Sequence, residues 1–368
     1  MSTLKVEVVK IEEIIKHENA DNLELARVKG WMCVIPKNIY KTGDLVVYIP
    51  IDSILPEDIE LKLFPPNSKI KLHNHRVKTI KIRQAVSQGL ITSFELLNID
   101  PLKEGTDLTS KLNITKYEPP EPAFFKNVKS RSKKETNPYF FKYTDIENYK
   151  NYVTVFKLWD IVYVTEKIHG TNARFGYVPF FADTLWKRIK QWIGQRFGSS
   201  PKWDFVYGSH NVQLQNGNPI GTSMFYQDNV YSKMIPKYDL KNKIHSGEVI
   251  YAEIYGDGIQ TGYNYGLKNE QRLVIFDVKK DGRFLNSDEL IEWCKERNLP
   301  MVPLIYKGFF NFDLIKSLTK GPSILAPEQR IREGVVIKPE IEGIDICGRK
   351  ILKLISDDYL LLKNSDFH

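Results

Sequence analysis

Short β-rich runs divided by turn residues fill the first part of the chain, from residue 4 to about residue 110. Residues 4–14 (LKVEVVKIEEI) alternate between apolar and polar side chains, and residues 23–36 (LELARVKGWMCVIP) form two runs around Gly30. Residues 44–52 (DLVVYIPID) form a further run. Many short strands at close spacing predict a small barrel or sandwich for this part of the chain.

The rest of the chain divides into a linker and a mixed α/β domain, so we predict an α+β protein with domains at 1–112, 113–150 and 151–368. The linker carries prolines and then basic residues without an intervening acid, which is typical of a segment with little regular structure. In the last domain the predicted strands are residues 160–168, 247–256, 272–279, 334–339 and 350–356. The predicted helices are residues 183–197 and 287–299, the second capped by Ser287 or Asp288.

The aromatic residues of the linker allow two interpretations. They alternate with lysines and arginines, so the segment either packs along a protein surface or stacks on bases while it contacts phosphates. The aromatic residues concerned are Phe124, Phe125, Tyr139, Phe140 and Phe141.

Composition limits the class of protein without naming an activity. Fifty-three Lys and Arg against 45 Asp and Glu give the 368 residues a formal charge of +8, which suits a polyanionic partner such as nucleic acid. Three cysteines are too few for a disulfide framework and favour a reducing compartment. The first residues lack the apolar region of a signal peptide, and no run of 18 apolar residues occurs. We therefore expect a cytoplasmic or nuclear protein without a membrane span.

A lysine at the end of a strand is the first candidate for chemistry. The run IVYVTEK delivers Lys167 to a turn that begins at His169-Gly170. Desolvation there lowers the pKa of a lysine, and a neutral amine is a nucleophile. A single Lys-x-x-Gly string is more often a surface turn, so this pattern alone is weak evidence.

Four later strands add charged residues at or near their ends. Glu253, Asp277 and Glu333 are the carboxylates, and Lys338 and Lys353 are among the cations. Each strand alone is more often a plain structural strand. Together they predict a site where carboxylates hold a divalent cation and cations neutralise a polyphosphate.

Five segments in order resemble motifs I, III, IIIa, IV and V of the covalent nucleotidyltransferase superfamily, which comprises DNA ligases, RNA ligases and capping enzymes. They are KIHGTN (167–172), AEIYGDGIQ (252–260), VIFDV (274–278), EGVVIK (333–338) and LKLIS (352–356). HGTN in the first segment and GDGIQ in the second resemble RNA ligases in particular.

The N-terminal part is similar to OB-type modules that bind RNA, in residues 21–26 (DNLELA) and 87–90 (SQGL). An OB module before the catalytic domain resembles one subgroup of ATP-dependent RNA ligases. The resemblance implies an OB-like β-barrel followed by an ATP-grasp-like nucleotidyltransferase domain. Only 15 residues follow Lys353, so we expect no second OB module after motif V, where DNA ligases and capping enzymes carry one.

The resemblance also implies roles for single residues. Lys167 would attack the α-phosphorus of ATP, Glu166 would contact the adenine amino edge, and Asn172 would bind near the ribose or phosphate. Phe276 would stack on adenine. Glu253 would hold the ribose or a metal-bound water, and both Glu253 and Glu333 are candidate metal ligands.

Further cations are assigned to the phosphates. Lys353 would contact the α-phosphate, with Lys338 and Lys350 as weaker candidates. An arginine is usual in motif Ia, where this chain has Ser-His-Asn at 209–211, so either His210 or Arg174 would make that contact.

The implied reaction uses ATP and Mg²⁺ or Mn²⁺ and has three steps: adenylylation of Lys167, transfer of AMP to a 5′-phosphate, and attack by a 3′-OH. Two alternatives remain open. One is an adenylyltransferase that does not seal, and the other is a non-catalytic RNA-binding protein on a ligase-like scaffold. The predicted partners are ATP and RNA, and we expect a monomer that acts in RNA repair.

Two basic stretches without acids are candidates for RNA contact, although a solvated strand face and a packed helix explain them equally simply. Neutralising residues in such a stretch weakens RNA binding and its salt dependence if it contacts phosphates. The candidate residues are Lys69, Lys71, Arg76, Lys78, Lys81 and Arg83 in the first stretch and Lys187, Arg188 and Lys190 in the second.

Overall fold

The computed structural model describes most of the chain as two compact units. The described residues are 3–68, 71–117, 137–182, 202–211, 213–214 and 230–362, with Ile189, Trp192, Ile193 and Arg196 at helical positions between them. The first unit contains the described residues of 1–120, 146–156 and 352–368, and the second those of 121–145 and 157–351. Within the described residues, no helix is long and apolar enough to cross a membrane.

The first unit is built mainly from short antiparallel strands. Sheets form in the orders β1-β5-β9 and β2-β3-β4, while β7 pairs with β8 and β6 with β10. The elements are β1 (Glu7–Lys10), β2 (Glu13–Lys16), β3 (Leu23–Val28), β4 (Trp31–Pro36), β5 (Leu45–Ile49), β6 (Ser53–Ile54), α1 (Glu57–Leu63), β7 (Thr79–Ile82), β8 (Ala85–Gln88), β9 (Leu90–Thr92), α2 (Phe94–Leu97), β10 (Thr115–Lys116) and β11 (Glu147–Asn148).

The N-terminal runs predicted from the sequence are confirmed as β1 to β5. Alternation places Val6 and Val8 in one apolar core with Val47, while Ala26 and Val28 enter a second core. Burial of such side chains contributes about 1.5–3 kcal/mol each.

Gly30, between β3 and β4, is needed for a close approach within the first unit. A Cβ there would lie 2.6 Å from the Cα atom of Lys150, and the Gly30 N–H donates to the Lys150 carbonyl at 3.0 Å. The hairpin therefore supports the short 3₁₀ turn Tyr149–Asn151.

The second unit contains a six-stranded antiparallel sheet in the order β15-β14-β13-β16-β17-β18. Separately, β12 pairs with β19 and β20 on its two sides, and β21 pairs with β22. The elements are β12 (Ile161–Lys167), β13 (Thr171–Pro179), β14 (Trp203–Ser209), β15 (Gln213–Leu214), α3 (Val230–Lys237), α4 (Leu240–Lys243), β16 (Glu248–Gly256), β17 (Gln271–Lys280), β18 (Arg283–Phe284), α5 (Ser287–Glu296), β19 (Leu304–Phe309), α6 (Phe312–Leu318), β20 (Gly334–Pro339), β21 (Ile344–Asp345) and β22 (Gly348–Arg349).

One face of the six-stranded sheet forms the apolar core of the second unit. Ile250, Ala252 and Ile254 of β16 pack there with side chains of α3, α4 and α5. The alternate residues of β16 therefore lie on the opposite face. Glu253 is one of them.

The last elements, β23 (Leu352–Ile355) and α7 (Asp357–Leu360), belong to the first unit, where β23 pairs in parallel with β11. The two compact units differ from the three predicted domains at 1–112, 113–150 and 151–368. The division into these domains remains a prediction. The five strands predicted in the last part of the chain are confirmed as β12, β16, β17, β20 and β23.

The predicted helix at 287–299 is confirmed as α5, but its cap is Asn286 rather than Ser287 or Asp288. The Asn286 N–H donates to the Glu289 carboxylate at 2.8 Å, which completes a capping box. Most of the predicted helix at 183–197 lies outside the described residues.

Candidate active site

Lys167 and Glu333 meet because two antiparallel strands end side by side. In the register of β12 and β20, Lys167 is opposite Gly334. Glu333, the residue before Gly334, therefore lies next to the lysine. The Lys167 Nζ lies 2.7 Å from the Glu333 Oε1. The lysine side chain keeps 27% of its surface exposed while the carboxylate keeps 3%, so the amine faces an open site and the carboxylate lies beneath it.

Glu253 approaches the same lysine from the six-stranded sheet. Asn172 of β13 is opposite Glu253 of β16, on the face away from the core. The chain can turn from β12 into β13 here because Gly170 has no side chain. A Cβ at Gly170 would lie 2.3 Å from the Ile254 carbonyl oxygen and 3.0 Å from the Glu253 Cγ.

We therefore expect Gly170→Ala to lower the free energy of unfolding by about 1–3 kcal/mol, since an added methyl overpacks a tight site. Chemical denaturation of the purified variant measures this. Gly343→Ala is the matched control, because its Cβ meets no atom within 4 Å. Equal stability of the two variants would contradict the steric argument.

Aromatic residues after GDGIQ hold the turn, a feature that the sequence analysis missed. The His169 N–H donates to the Tyr265 hydroxyl at 2.7 Å, and the His169 ring packs edge-on against Tyr263 at 4.8 Å. The Gln260 Nε2 donates to the Gly170 carbonyl at 2.8 Å. His169 also places its Nδ1 3.5 Å from the Glu333 Oε2. In the sequence, the two tyrosines shortly after the glycine-rich segment were the available indication of this support.

The charges of the site differ from the expectation of a lysine with a lowered pKa. Burial acts to lower the pKa of Lys167, but the carboxylates of Glu333 and Glu253 outweigh it, so the net shift is upward. Burial acts to raise the pKa of Glu333, yet Lys167 and His169 hold it at about 2. For Glu253 burial dominates and raises the pKa to about 8, against the opposing effect of Lys167. Lys167 and Glu333 thus form a charged pair beside a carboxyl that gains its proton more easily.

Several polar atoms around Lys167 are buried without a hydrogen-bond partner among the described residues. They are the Glu166 Oε1, the Asn172 Oδ1 and the Glu333 Oε2. Glu166 is only 1% exposed and uses its other oxygen to accept from the Ile324 N–H at 2.8 Å. Buried polar groups in proteins are nearly always paired, so such atoms fit a site completed by a ligand.

The donor set also fits a divalent cation that is shared with a ligand. Hard ions such as Mg²⁺ take one or two carboxylates and fill the remaining positions with phosphate oxygens or water. Glu253 and Glu333 supply the carboxylates, and the Glu333 Oε2, 3.5 Å from the His169 Nδ1, has no closer hydrogen bond within the described chain. Among the described residues, no group of three or more His, Cys, Asp or Glu side chains could hold a metal ion by itself.

Phe276 is on the same sheet face as Glu253. It is the extra residue of a β-bulge in β17, between Ile275, which is opposite Ala252, and Asp277, which is opposite Tyr251. The Tyr143 ring contacts both Phe276 and Tyr251, and Tyr251 lies on the face of Glu253. The Phe276 ring is half-buried and meets the Tyr143 ring edge-on at 4.9 Å. This placement suits the predicted stacking on adenine, which remains a prediction.

Lys338 is engaged in a buried ion cluster, and its predicted contact with the nucleotide remains a prediction. Its Nζ donates to the Asp277 Oδ2 at 2.7 Å and to the Phe276 carbonyl at 2.9 Å. Arg349 places its Nη1 2.7 Å from the same Asp277 oxygen. Asp277 is fully buried, so it needs both cations to offset its desolvation.

We expect Lys338→Met to destabilise the protein by about 3–5 kcal/mol, because it removes one partner of a buried ion pair. Thermal and urea unfolding measure the loss. Lys268→Met, at an exposed lysine, is the control. A variant as stable as the control, with weakened ATP binding, would show that Lys338 serves the nucleotide instead.

Arg174 is likewise held inside the protein, and its predicted phosphate contact remains a prediction. It is 2% exposed, and its Nε and Nη1 donate to the carbonyls of Ser209 and Phe140 at 2.9 and 2.8 Å. His210 is more accessible, with its Nε2 3.9 Å from the Asp145 Oδ1, which suits the motif Ia contact predicted for either His210 or Arg174.

The two lysines near the end of the chain lie in different units. Lys350 places its Nζ 2.7 Å from the Asp160 Oδ2, which ties the segment before β23 to the start of β12. Lys353 lies in β23 of the first unit, opposite Asn148. The predicted contacts of both lysines with ATP remain predictions.

The structure divides the predicted RNA-binding residues by exposure. Lys71, Lys81 and Arg83 are exposed and Lys78 is partly buried. Arg76 is 4% exposed, with its Nη2 2.5 Å from the Asp52 Oδ1, and its predicted RNA contact remains a prediction. The candidates outside the described residues are Lys69, Lys187, Arg188 and Lys190.

Two family models match the chain. A model described as RNA ligase matches residues 160–355, and one described as an OB-fold domain matches residues 5–94. The first covers every element that surrounds Lys167. No curated protein matches the sequence significantly.

Solved structures of an RNA ligase from Naegleria gruberi resemble nearly the whole chain. The ligase with PPi has a TM-score of 0.71 at 23% identity, and the match covers 97% of this chain and 98% of that one. A mutant with ATP and Mn gives 0.71 at 24% identity with the same coverage. Another mutant, with AMP and Mn, gives 0.70 at 24%, covering 96% and 97%. Together with the family models, this likeness confirms the predicted α+β fold, an OB-like module followed by a nucleotidyltransferase-like domain.

Proposed function

Because the chain belongs to the RNA ligase family, we propose that it joins a 3′-OH RNA end to a 5′-phosphate end at the expense of ATP. The observation that carries the proposal is the Lys167 amine, 2.7 Å from Glu333 at the open end of β12. ATP and a divalent cation are the proposed cofactors, since the similar Naegleria gruberi ligase mutants are described with ATP and Mn and with AMP and Mn.

Three displacements at phosphorus make up the proposed reaction. The Lys167 amine attacks the α-phosphorus of ATP, pyrophosphate leaves, and the lysine loses a proton and holds AMP through a P–N bond. The 5′-phosphate of the RNA then displaces the lysine and becomes a pyrophosphate-linked adenylate. Finally the 3′-OH attacks that phosphate, AMP leaves, and a phosphodiester bond is formed. Such transfers depend mostly on positioning and charge stabilisation.

The residues around Lys167 support specific roles. The Glu166 Oε1, buried without a partner in the described structure, suits the amino group of adenine. The Asn172 Oδ1 suits a ribose hydroxyl for the same reason. Phe276 offers an aromatic edge or plane on the same sheet face for the base.

Charge at the phosphates is the second requirement. Glu253 and Glu333 would hold a divalent cation, Mg²⁺ or Mn²⁺, which would supply positive charge at the phosphate oxygens. The protein positions both carboxylates through its strands. Glu253 lies in β16, and the register of β12 with β20 places Glu333. Lys353 is the proposed cation for the α-phosphate.

The first unit is the proposed RNA-docking module. Lys71, Lys81 and Arg83 present exposed positive charge there, which suits contact with phosphates. RNA repair is the proposed role of this activity. A broken RNA strand that keeps its 5′-phosphate has the same 3′-OH and 5′-phosphate ends that the activity joins.

An adenylyltransferase that stops before sealing is the second candidate, because it needs the same lysine and carboxylates. A non-catalytic RNA-binding protein is less well supported, since RNA binding alone does not require a lysine paired with Glu333 at an open site. Incubation with α-labelled ATP and Mn²⁺, followed by denaturing electrophoresis, tests for a covalent adenylate. A sealing assay on 5′-phosphorylated RNA then separates the ligase from the adenylyltransferase. A protein that acquires no label would contradict both enzymatic functions.

A further inference from the structure

Residues 137–145 belong to the second unit, and their side chains differ in exposure. Phe140 is buried and its ring lies 4.3 Å from the Arg174 guanidinium carbon. Tyr143 is also buried, and its hydroxyl donates to the Asp277 Oδ2 at 2.7 Å. Phe141, between them, is 46% exposed. The two buried rings therefore fix the segment, and Phe141 is presented to solvent.

Lys279 of β17 pairs with the exposed ring. Its Nζ lies 3.9 Å from the centre of the Phe141 ring. Asp277, two residues earlier in β17, pairs with Lys338 and Arg349, and no ion pair joins Lys279 to a carboxylate of the described residues. Arg349 lies close by, stacked at 3.6 Å on Phe284, whose ring is 5.7 Å from the Lys279 amine. Burial lowers the pKa of Lys279, and Arg349 lowers it further, as two nearby positive charges must. The surface thus combines an open aromatic ring with a cation that lacks an acidic partner in the described chain.

This pair lies on the same sheet face as the active-site carboxylate. Lys279 is opposite Val249, which is four residues from Glu253 along β16 and has the same orientation. Four residues of strand span about 13 Å. The Tyr251 hydroxyl, between the two positions, donates to the Phe141 carbonyl at 3.2 Å and fixes the segment to this face.

We propose that Phe141 and Lys279 form a binding site for single-stranded RNA, in which a base stacks on Phe141 and Lys279 contacts a phosphate. The inference rests on the proposed ligase function, since it assigns the path of the RNA strand beside that active site. Aromatic rings with adjacent cations bind single strands in this way without base specificity. A site about 13 Å along the sheet from Glu253 contacts a nucleotide near the reacting end, not the ATP.

The test measures binding of a 5′-phosphorylated single-stranded RNA by fluorescence anisotropy at several salt concentrations. We expect Phe141→Leu to raise the Kd about tenfold, because it keeps an apolar side chain but removes the ring. Phe141→Tyr retains near wild-type affinity. Lys279→Gln lowers the slope of log Kd against log salt by about 0.7, as expected for one lost phosphate contact on a single strand.

Phe309→Leu is the matched control, because Phe309 is an exposed phenylalanine of the same unit, 62% accessible. Labelling with α-labelled ATP on every variant keeps the two proposals apart. Variants of Phe141 and Lys279 that are labelled normally but bind RNA more weakly would support the site. A wild-type protein that acquires no label would overturn the ligase function itself. Unchanged RNA affinity and salt slope in Phe141→Leu and Lys279→Gln would overturn the RNA site. A raised KM for ATP with unchanged RNA affinity would assign the pair to the nucleotide and would overturn it as well.

Discussion

Lys167→Ala is expected to abolish covalent labelling by α-labelled ATP, with a loss of at least about 10³-fold, the scale of nucleophile removals. No other described lysine has the same surroundings, with Glu333 at 2.7 Å and Glu253 close enough to perturb its pKa. The variant should still join an RNA whose 5′ end already carries AMP, since the last step forms no bond to the lysine. Labelling and sealing of pre-adenylylated RNA are the two measurements.

Lys268→Ala is the matched control, because Lys268 is an exposed lysine of the same unit. It should be labelled like the wild type. Labelling that persists in Lys167→Ala would place the nucleophile elsewhere. Loss of both activities in a folded Lys167→Ala variant would mean that the lysine also organises the RNA ends.

Glu333→Gln is expected to reduce adenylylation by about 10²-fold, because it keeps the size of the side chain but removes the charge beside Lys167. The carboxylate is 3% exposed and holds its pKa at about 2, so it is charged at any pH used for the assay. If Glu333 also binds the divalent cation, the variant should need more Mn²⁺ to reach half of its maximal rate. Single-turnover labelling across a Mn²⁺ titration measures both quantities.

Glu328→Gln, at an exposed glutamate, is the control for this variant. Its rate and its Mn²⁺ requirement should match those of the wild type. A Glu333→Gln variant with normal rate and normal Mn²⁺ requirement would remove the carboxylate from the reaction. A variant with a lower rate but an unchanged Mn²⁺ requirement would restrict its role to positioning Lys167.

The strands that carry the site could be predicted because their patterns are local. The run before Lys167, the alternation around Glu253 and the apolar strand after Glu333 all form as expected, as β12, β16 and β20. That Lys167, Glu253 and Glu333 lie in one site was predicted from the order of the motifs. No single segment shows that it pairs with a strand more than 150 positions away. The register of Lys167 with Gly334 supplies the physical reason for the convergence.

The cations show where a single sequence is insufficient. Arg76, Arg174 and Lys338 have the residue types of phosphate contacts, yet each is buried against a partner distant in sequence. Lysine and arginine serve ion pairs and phosphates equally well, and only the tertiary partner decides between them. The raised pKa of Lys167 has the same origin, because two carboxylates from other strands outweigh its burial.

The side chains that support the turn after Lys167 were not predicted from the sequence. Tyr265 and Gln260 hold the backbone of His169 and Gly170, and neither carries a charge that would attract attention in a sequence. Unlike a helix cap, a tyrosine or glutamine that binds the backbone of a distant turn has no sequence signature of its own. Gln260 ends the glycine-rich segment and Tyr265 follows it, and this position was the available indication.

A chase of the isolated enzyme adenylate tests the central claim most directly. The protein labelled with α-labelled ATP is freed of nucleotide and mixed with RNA that carries a 3′-OH and a 5′-phosphate, in the presence of Mn²⁺. The proposed function predicts that label passes from protein to the RNA 5′ end and is then released as AMP while a joined RNA appears. Label that reaches the RNA end and remains there, without a joined product, would contradict sealing and identify an adenylyltransferase.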